Sequence, residues 1–200
     1  MAVSCFELLR PYLPQILPEI VNQLSPEPRV EMVSATNNAA WSVGEIALRH
    51  GPDFTPWVLP LIERLVPILL NPKCPRSLHE NAAVTIGRIG LVHADLVAPH
   101  LEHFAQNWCQ ALFEIKDNDE KDSAFRGFCA LVQRNPNGIA KSFLWFCNAV
   151  VRWNTPSQEL NEMFGAILQG LKEMSGPAWA AQVGQFPVSI QERLRERYNV

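Results

Sequence analysis

The segment that begins Asn38-Ala39-Ala40-Trp41-Ser42-Val43-Gly44-Glu45-Ile46 and runs to His50 recurs, class for class at most positions, 43 positions later as Asn81-Ala82-Ala83-Val84-Thr85-Ile86-Gly87-Arg88-Ile89, running to His93. A looser third copy, Asp122 to Leu131, sets Gly127 a further 40 positions beyond Gly87. Apolar residues inside each copy follow helical spacing, and no segment alternates as a strand would. A helical unit of about 40 residues cannot bury its apolar stripe alone and must stack on its neighbours. The repeat therefore predicts an all-α fold, an α-solenoid (superhelix) of about four to five helix pairs. The approximate units are 1–50, 51–93, 94–134 and 135–174, followed by a terminal cap, 175–200. Arrays of this kind usually present a long surface on which another chain is laid, so a binding module is expected and an enzyme is not.

Breaks supplied by proline, glycine and aspartate divide the chain into helices near 2–10, 14–25, 29–50, 56–70, 76–93, 96–114, 119–134, 138–152, 157–174 and 187–197. One set carries a proline after an apolar residue, at Leu17-Pro18, Leu59-Pro60 and Ala98-Pro99, as expected of an outward-facing layer that bends. The other set carries the repeated glycine. Glycine inside a helix costs about 1 kcal/mol relative to alanine, so its recurrence points to a neighbouring helix that approaches too closely for a side chain. The acidic run Asp117-Asn118-Asp119-Glu120-Lys121-Asp122 precedes the third such helix and reads as its cap or as a solvated loop. Gly176-Pro177-Ala178-Trp179 interrupts the pattern before a charged terminal helix. The amino terminus opens inside an apolar helix without a polar cap, as the start of a fragment would, whereas the charged tail reads as a natural end.

Composition narrows the partners. Hydrophobic residues make up 48% and charged residues 18%, enough for a packed interior. The formal net charge of -3 offers no basic stripe for nucleic acid. The apolar run 57–70 is interrupted by Pro60, Glu63, Arg64 and Pro67, short of the roughly 20 apolar residues of a membrane span. No membrane partner is expected. The amino terminus lacks a secretory signal, so cytosolic or nuclear residence is expected. Cys5, Cys74, Cys109, Cys129 and Cys147 are widely spaced and odd in number, which predicts free, mostly buried thiols.

Two residues stand out as a contact for a guest chain. Asn37 and Trp41, four apart, share one helix face; the amide can pair with a peptide backbone while the indole offers a broad apolar plane. The repeat maps Trp41 onto Val84, Asn38 onto Asn81 and Asn37 onto Glu80, so the next unit adds an apolar contact, an amide and an acid for a basic guest residue. The alternative is that Trp41 packs between helices and Val84 is core. Trp57, Trp108, Trp145, Trp153 and Trp179 are assigned to the core or to inter-unit packing. His100 and His103, three apart, could share a metal, but no third ligand has a location in the sequence, and neither a metal nor a cofactor is expected. Walker, dinucleotide and nucleophile-elbow motifs are absent.

The three motifs in register, 35–46, 80–90 and 117–127, together with Gln185-Phe186-Pro187, Glu192-Arg193-Leu194 and Tyr198-Asn199-Val200, resemble the carboxy-terminal HEAT repeats of the transportin (karyopherin-β2) family. The resemblance implies a HEAT solenoid from an import receptor that carries proteins with proline-tyrosine nuclear localisation signals and shuttles between cytoplasm and nucleus. It implies that Trp41 and Val84 belong to the pocket for the amino-terminal part of such a signal, with Asn37 and Asn81 nearby. The family usually has isoleucine at Val84, a difference of one methylene worth about 1 kcal/mol at most. It also implies that Ran GTPase is bound only through missing amino-terminal repeats, that the proline-tyrosine dipeptide is held by missing middle repeats, and that nuclear pore proteins are further partners. An isolated signal peptide should then bind this chain weakly, because linked sub-sites are lost. A structural HEAT scaffold with no cargo contact is the alternative.

Overall fold

The computed structural model describes residues 6–200. Cys5 and the beginning of the helix expected near 2–10 lie outside the described residues. Eleven α-helices follow one another among the described residues, with no strand: α1 Phe6–Leu9, α2 Leu13–Gln23, α3 Val33–His50, α4 Thr55–Leu70, α5 Arg76–Val97, α6 Leu101–Leu112, α7 Asp119–Arg134, α8 Phe143–Val151, α9 Gln158–Ser175, α10 Ala178–Val183 and α11 Val188–Tyr198. They alternate between two layers. Helices α3, α5, α7 and α9 stack in sequence in one layer, and α2, α4, α6, α8 and α11 in the other, with α2, α4 and α6 also packed across onto α3, α5 and α7. This is the all-α solenoid of stacked helix pairs that the repeat predicts, and it fits the HEAT repeats that the family resemblance implies.

Helix α4 shows how the sequence builds the layer of α2, α4, α6, α8 and α11. Val58, Leu61, Ile62, Leu65, Ile68 and Leu69 are buried, a stripe at three- and four-residue spacing. Pro60 and Pro67, seven apart and on the opposite face, are exposed, where a missing N–H is least costly. Pro18 likewise lies inside α2. Pro99 does not lie inside a helix; it falls in the 3-10 turn Ala98–His100 that leads into α6.

The layer of α3, α5, α7 and α9 depends on the repeated glycines. A Cβ on Gly127 would stand 1.7 Å from the Gly87 carbonyl oxygen, and one on Gly87 would stand 2.4 Å from the Ala124 carbonyl oxygen. A Cβ on Gly44 would meet Thr85 Oγ1 at 2.8 Å. Backbone therefore lies on backbone between α5 and α7, and the glycines set two short inter-helix gaps in a row.

Several helix ends differ from expectation. Helix α5 continues past position 93 to Val97, broken at His93 (φ -130°, ψ 46°). The repeat explains the break. His93 corresponds to His50, where α3 ends at Gly51 with φ 62°, and the next unit has Ala94 in place of that glycine. Without a residue suited to the left-handed region the chain distorts and stays helical. The span expected at 138–152 begins as the 3-10 segment Pro136–Ser142. Helix α10 was not expected: the Gly176-Pro177 break is followed by one short turn that buries Trp179, whose ring lies 5.3 Å from Phe143.

Among the described residues the helical stretch Arg76–Leu112 is long and apolar enough to cross a membrane by length and composition alone. In this fold 67% of its most apolar part is buried. Its apolarity thus serves the contacts of α5 and α6 with their neighbours. Cys74, Cys109, Cys129 and Cys147 are free and buried. Burial pushes the Cys109, Cys129 and Cys147 thiols well above their usual range, which makes them unreactive packing residues.

Candidate functional site

Helix α3 places Asn37, Trp41 and Glu45 at successive four-residue steps, so they form one line along its surface. Helix α5 places Asn81, Val84, Thr85 and Arg88 on its flank toward α3. Asn81 Nδ2 donates to the Asn37 carbonyl at 3.4 Å, and Thr85 Oγ1 donates to the Ala40 carbonyl at 2.7 Å. Arg88 is buried and spans both gaps: Nη1 lies 2.8 Å from Glu45 Oε1, and Nε donates to Ser123 Oγ of α7 at 3.1 Å. The Nη1 contact is a close ion pair that lies off the line of a hydrogen bond. Glu45 Oε2 also accepts from Arg49 Nη1 at 2.8 Å. Arg88 Nη2 lies 3.8 Å from Glu120 Oε1, so two acids and two bases balance along three stacked helices.

Trp41 is half-buried, and its indole N–H donates to Glu120 Oε1 at 2.7 Å. The bond joins α3 to the first turn of α7 and passes over α5. It is attainable because the glycine contacts hold the three helices close together. Of the six tryptophans, Trp108, Trp153 and Trp179 are buried, and Trp57 and Trp145 pack at the core's edge. Trp41 belongs to neither group. Beside it, Asn37 Oδ1 is buried with no hydrogen-bond partner.

The remaining expected residues are less open. Val84 keeps 6% of its surface, so it forms floor rather than wall. Glu80 accepts from Arg76 Nε at 2.7 Å, and a basic guest would have to compete with that arginine. His100 and His103 are exposed, and Glu102 between them pairs with Lys141 at 2.5 Å. No group of three His, Cys, Asp or Glu among the described residues could hold a metal.

The acidic run is mostly engaged instead of solvated. Asn118 caps α7, its Oδ1 accepting from the Lys121 N–H at 2.8 Å. Asp117 Oδ2 accepts from the Asn154 and Thr155 N–H groups at 2.8 and 3.0 Å, while Oδ1 takes Lys121 Nζ at 3.0 Å. Burial would raise the Asp117 carboxyl, but the bonds from Thr155, Lys121 and Asn154 outweigh it and hold it below its ordinary value. Burial pulls Lys121 down more than Asp117 restores it. Asp122 holds Arg126 and Ser157.

The sequence reading missed Glu45, Thr85, Arg88 and Glu120. The first three were within reach, since the 43-residue shift maps the acid Glu45 onto the base Arg88, a complementary pair in adjoining units. Glu120 carried no such signal, because its partner lies 79 positions away and meets it only through the inter-helix spacing.

No protein-family model matches the chain. Transportin-1 of Homo sapiens is 40% identical over 198 residues, 98% of this chain and 22% of the relative. Importin subunit beta-2 of Schizosaccharomyces pombe is 44% identical over 174 residues, 87% of this chain and 19% of the relative. Transportin-1 of Oryza sativa is 40% identical over 195 residues, 96% of this chain. The chain thus spans about a fifth of the length of these relatives. With such identity sustained across nearly all of its residues, this chain belongs to the transportin (importin beta-2) family.

Proposed function

We propose that this chain is the carboxy-terminal cargo-binding part of a nuclear import receptor that takes nuclear localisation signals of the proline-tyrosine type. In this reading it is a binding module and not an enzyme, and its units are 1–50, 51–93, 94–134 and 135–174 with the cap 175–200. The observation that carries it is Trp41, the one tryptophan set apart from the core, on the glycine-stacked layer beside the unpartnered Asn37 Oδ1. An apolar guest side chain against the half-buried indole would cover the ring surface that the chain itself leaves open. Asn81 and Glu80 extend the contact along α5, with Val84 beneath. The names of the relatives, transportin and importin, support the import role. Ran and the proline-tyrosine dipeptide would be met elsewhere in a longer receptor, which would shuttle between cytoplasm and nucleus and meet nuclear pore proteins on the way.

The scaffold reading has one observation in its favour, because the Trp41 N–H is already satisfied within the chain by Glu120. Titration of a labelled signal peptide separates the two. Weak binding that falls about 30-fold in Trp41→Ala, the loss of about 2 kcal/mol expected of an aromatic anchor, supports the receptor. Equal affinity in both proteins supports the scaffold.

A further inference from the structure

We propose that Glu120 is the positioning residue of this site: its carboxylate fixes the Trp41 indole in the orientation in which it meets a guest. The inference rests on the reading of Trp41 as the anchor. Three observations carry it. The bond is short, 2.7 Å, and joins helices separated by a third, so it specifies one orientation of the ring instead of a local side-chain pairing. Glu120 is itself held, since Arg88 lies 3.8 Å from the same oxygen and is in turn fixed by Glu45 and Ser123. The Glu120 side chain is 43% exposed, which places the contact at the rim of the stacked layer and not in its core.

The consequence is chemical as well as geometric. With its N–H occupied by Glu120, Trp41 meets a guest with its ring faces. Fixing the ring before binding removes the ordering cost of one large side chain. Because the acceptor belongs to the third unit and the indole to the first, the anchor keeps its orientation only while three units hold their stacking.

The test uses the full chain in Glu120→Ala, Glu120→Gln, Trp41→Phe and Trp41→Ala forms. One readout is the indole N–H resonance of Trp41, identified by its loss in Trp41→Phe. The other is affinity for a labelled synthetic peptide with an apolar-basic segment ahead of a proline-tyrosine dipeptide. Glutamine keeps an acceptor and loses the charge, so it separates positioning from a helix-terminus or ion-pair effect. Glu120→Ala should shift the Trp41 resonance and weaken binding roughly three- to tenfold, the cost of ordering one interface side chain. Glu120→Gln should retain most of both signals, and Trp41→Phe should lose as much affinity as Glu120→Ala with no further loss when the two are combined. An unmoved resonance in Glu120→Ala, or a glutamine variant as impaired as the alanine variant, overturns the proposal. A shifted resonance together with peptide binding that ignores Trp41→Ala overturns the anchor reading while leaving the Glu120 contact in place.

Discussion

Lys121 shows what a single side chain does at the joint between units. Its side chain is 1% exposed, its Nζ donates to the Ile115 carbonyl at 2.8 Å and to Asp117 at 3.0 Å, and it lies 4.3 Å from the Trp153 ring centre. Removing one partner of a buried pair leaves the other uncompensated, so Lys121→Ala should cost about 3 kcal/mol in urea unfolding. Lys121→Met, which fills the space, should cost less. Asp117 gives the pH dependence. Its folded value lies below the ordinary 3.8, so its contribution is complete above the unfolded value and is lost as pH falls through the lower folded value. The stability difference between the parent chain and Asp117→Asn should therefore be constant near neutrality and shrink below about pH 4. A difference unchanged down to pH 2 would contradict that account. At this scale the sequence was readable where the cue was local: Asn37 and Trp41 share a helix face by spacing alone. Glu120 was not, because nothing in the acidic run says which of its members reaches another unit.

Among the elements, the glycine positions carry the most argument. Their recurrence at shifts of 43 and 40 predicts close helix approach, and the fold places α5 and α7 backbone to backbone at Gly87 and Gly127. Three substitutions with different expected signs test the reason. Gly127→Ala, whose Cβ would stand 1.7 Å from a carbonyl oxygen, should destabilise by about 3 kcal/mol or more, because two helices must part. Gly51→Ala, with open space but a φ of 62°, should cost about 1 kcal/mol. Gly170→Ala, inside α9 with nothing within 4 Å, should stabilise by up to about 1 kcal/mol. Thermal or urea unfolding of the three gives the order, and a neutral Gly127→Ala would contradict the close-approach account. Helix ends were less readable than helices. The run of α5 past His93 turns on whether one residue, Gly51 or Ala94, can adopt a positive φ, a distinction the repeat hides because its surrounding residues match so well. Helix α10 was hidden behind a Gly-Pro break that reads as a stop.

At the level of the whole chain, the repeat made the architecture legible, because a 43-residue helical period has few packing solutions. The placement of the site followed only in part. Which helices share a layer could be inferred from the copies, but whether Trp41 stands clear of the core depends on side-chain packing that no periodicity encodes. The proposed function requires that a signal peptide lie on the α3, α5 and α7 layer against Trp41. Photo-crosslinking tests it most directly, using a signal peptide with a photoreactive group at its apolar position and mapping the adducts by mass spectrometry. Adducts concentrated on α3 and α5, around Asn37, Trp41, Asn81 and Val84, and abolished by Trp41→Ala, are the predicted result. Adducts on α4, α6 or α8, or a pattern that Trp41→Ala leaves unchanged, would contradict it.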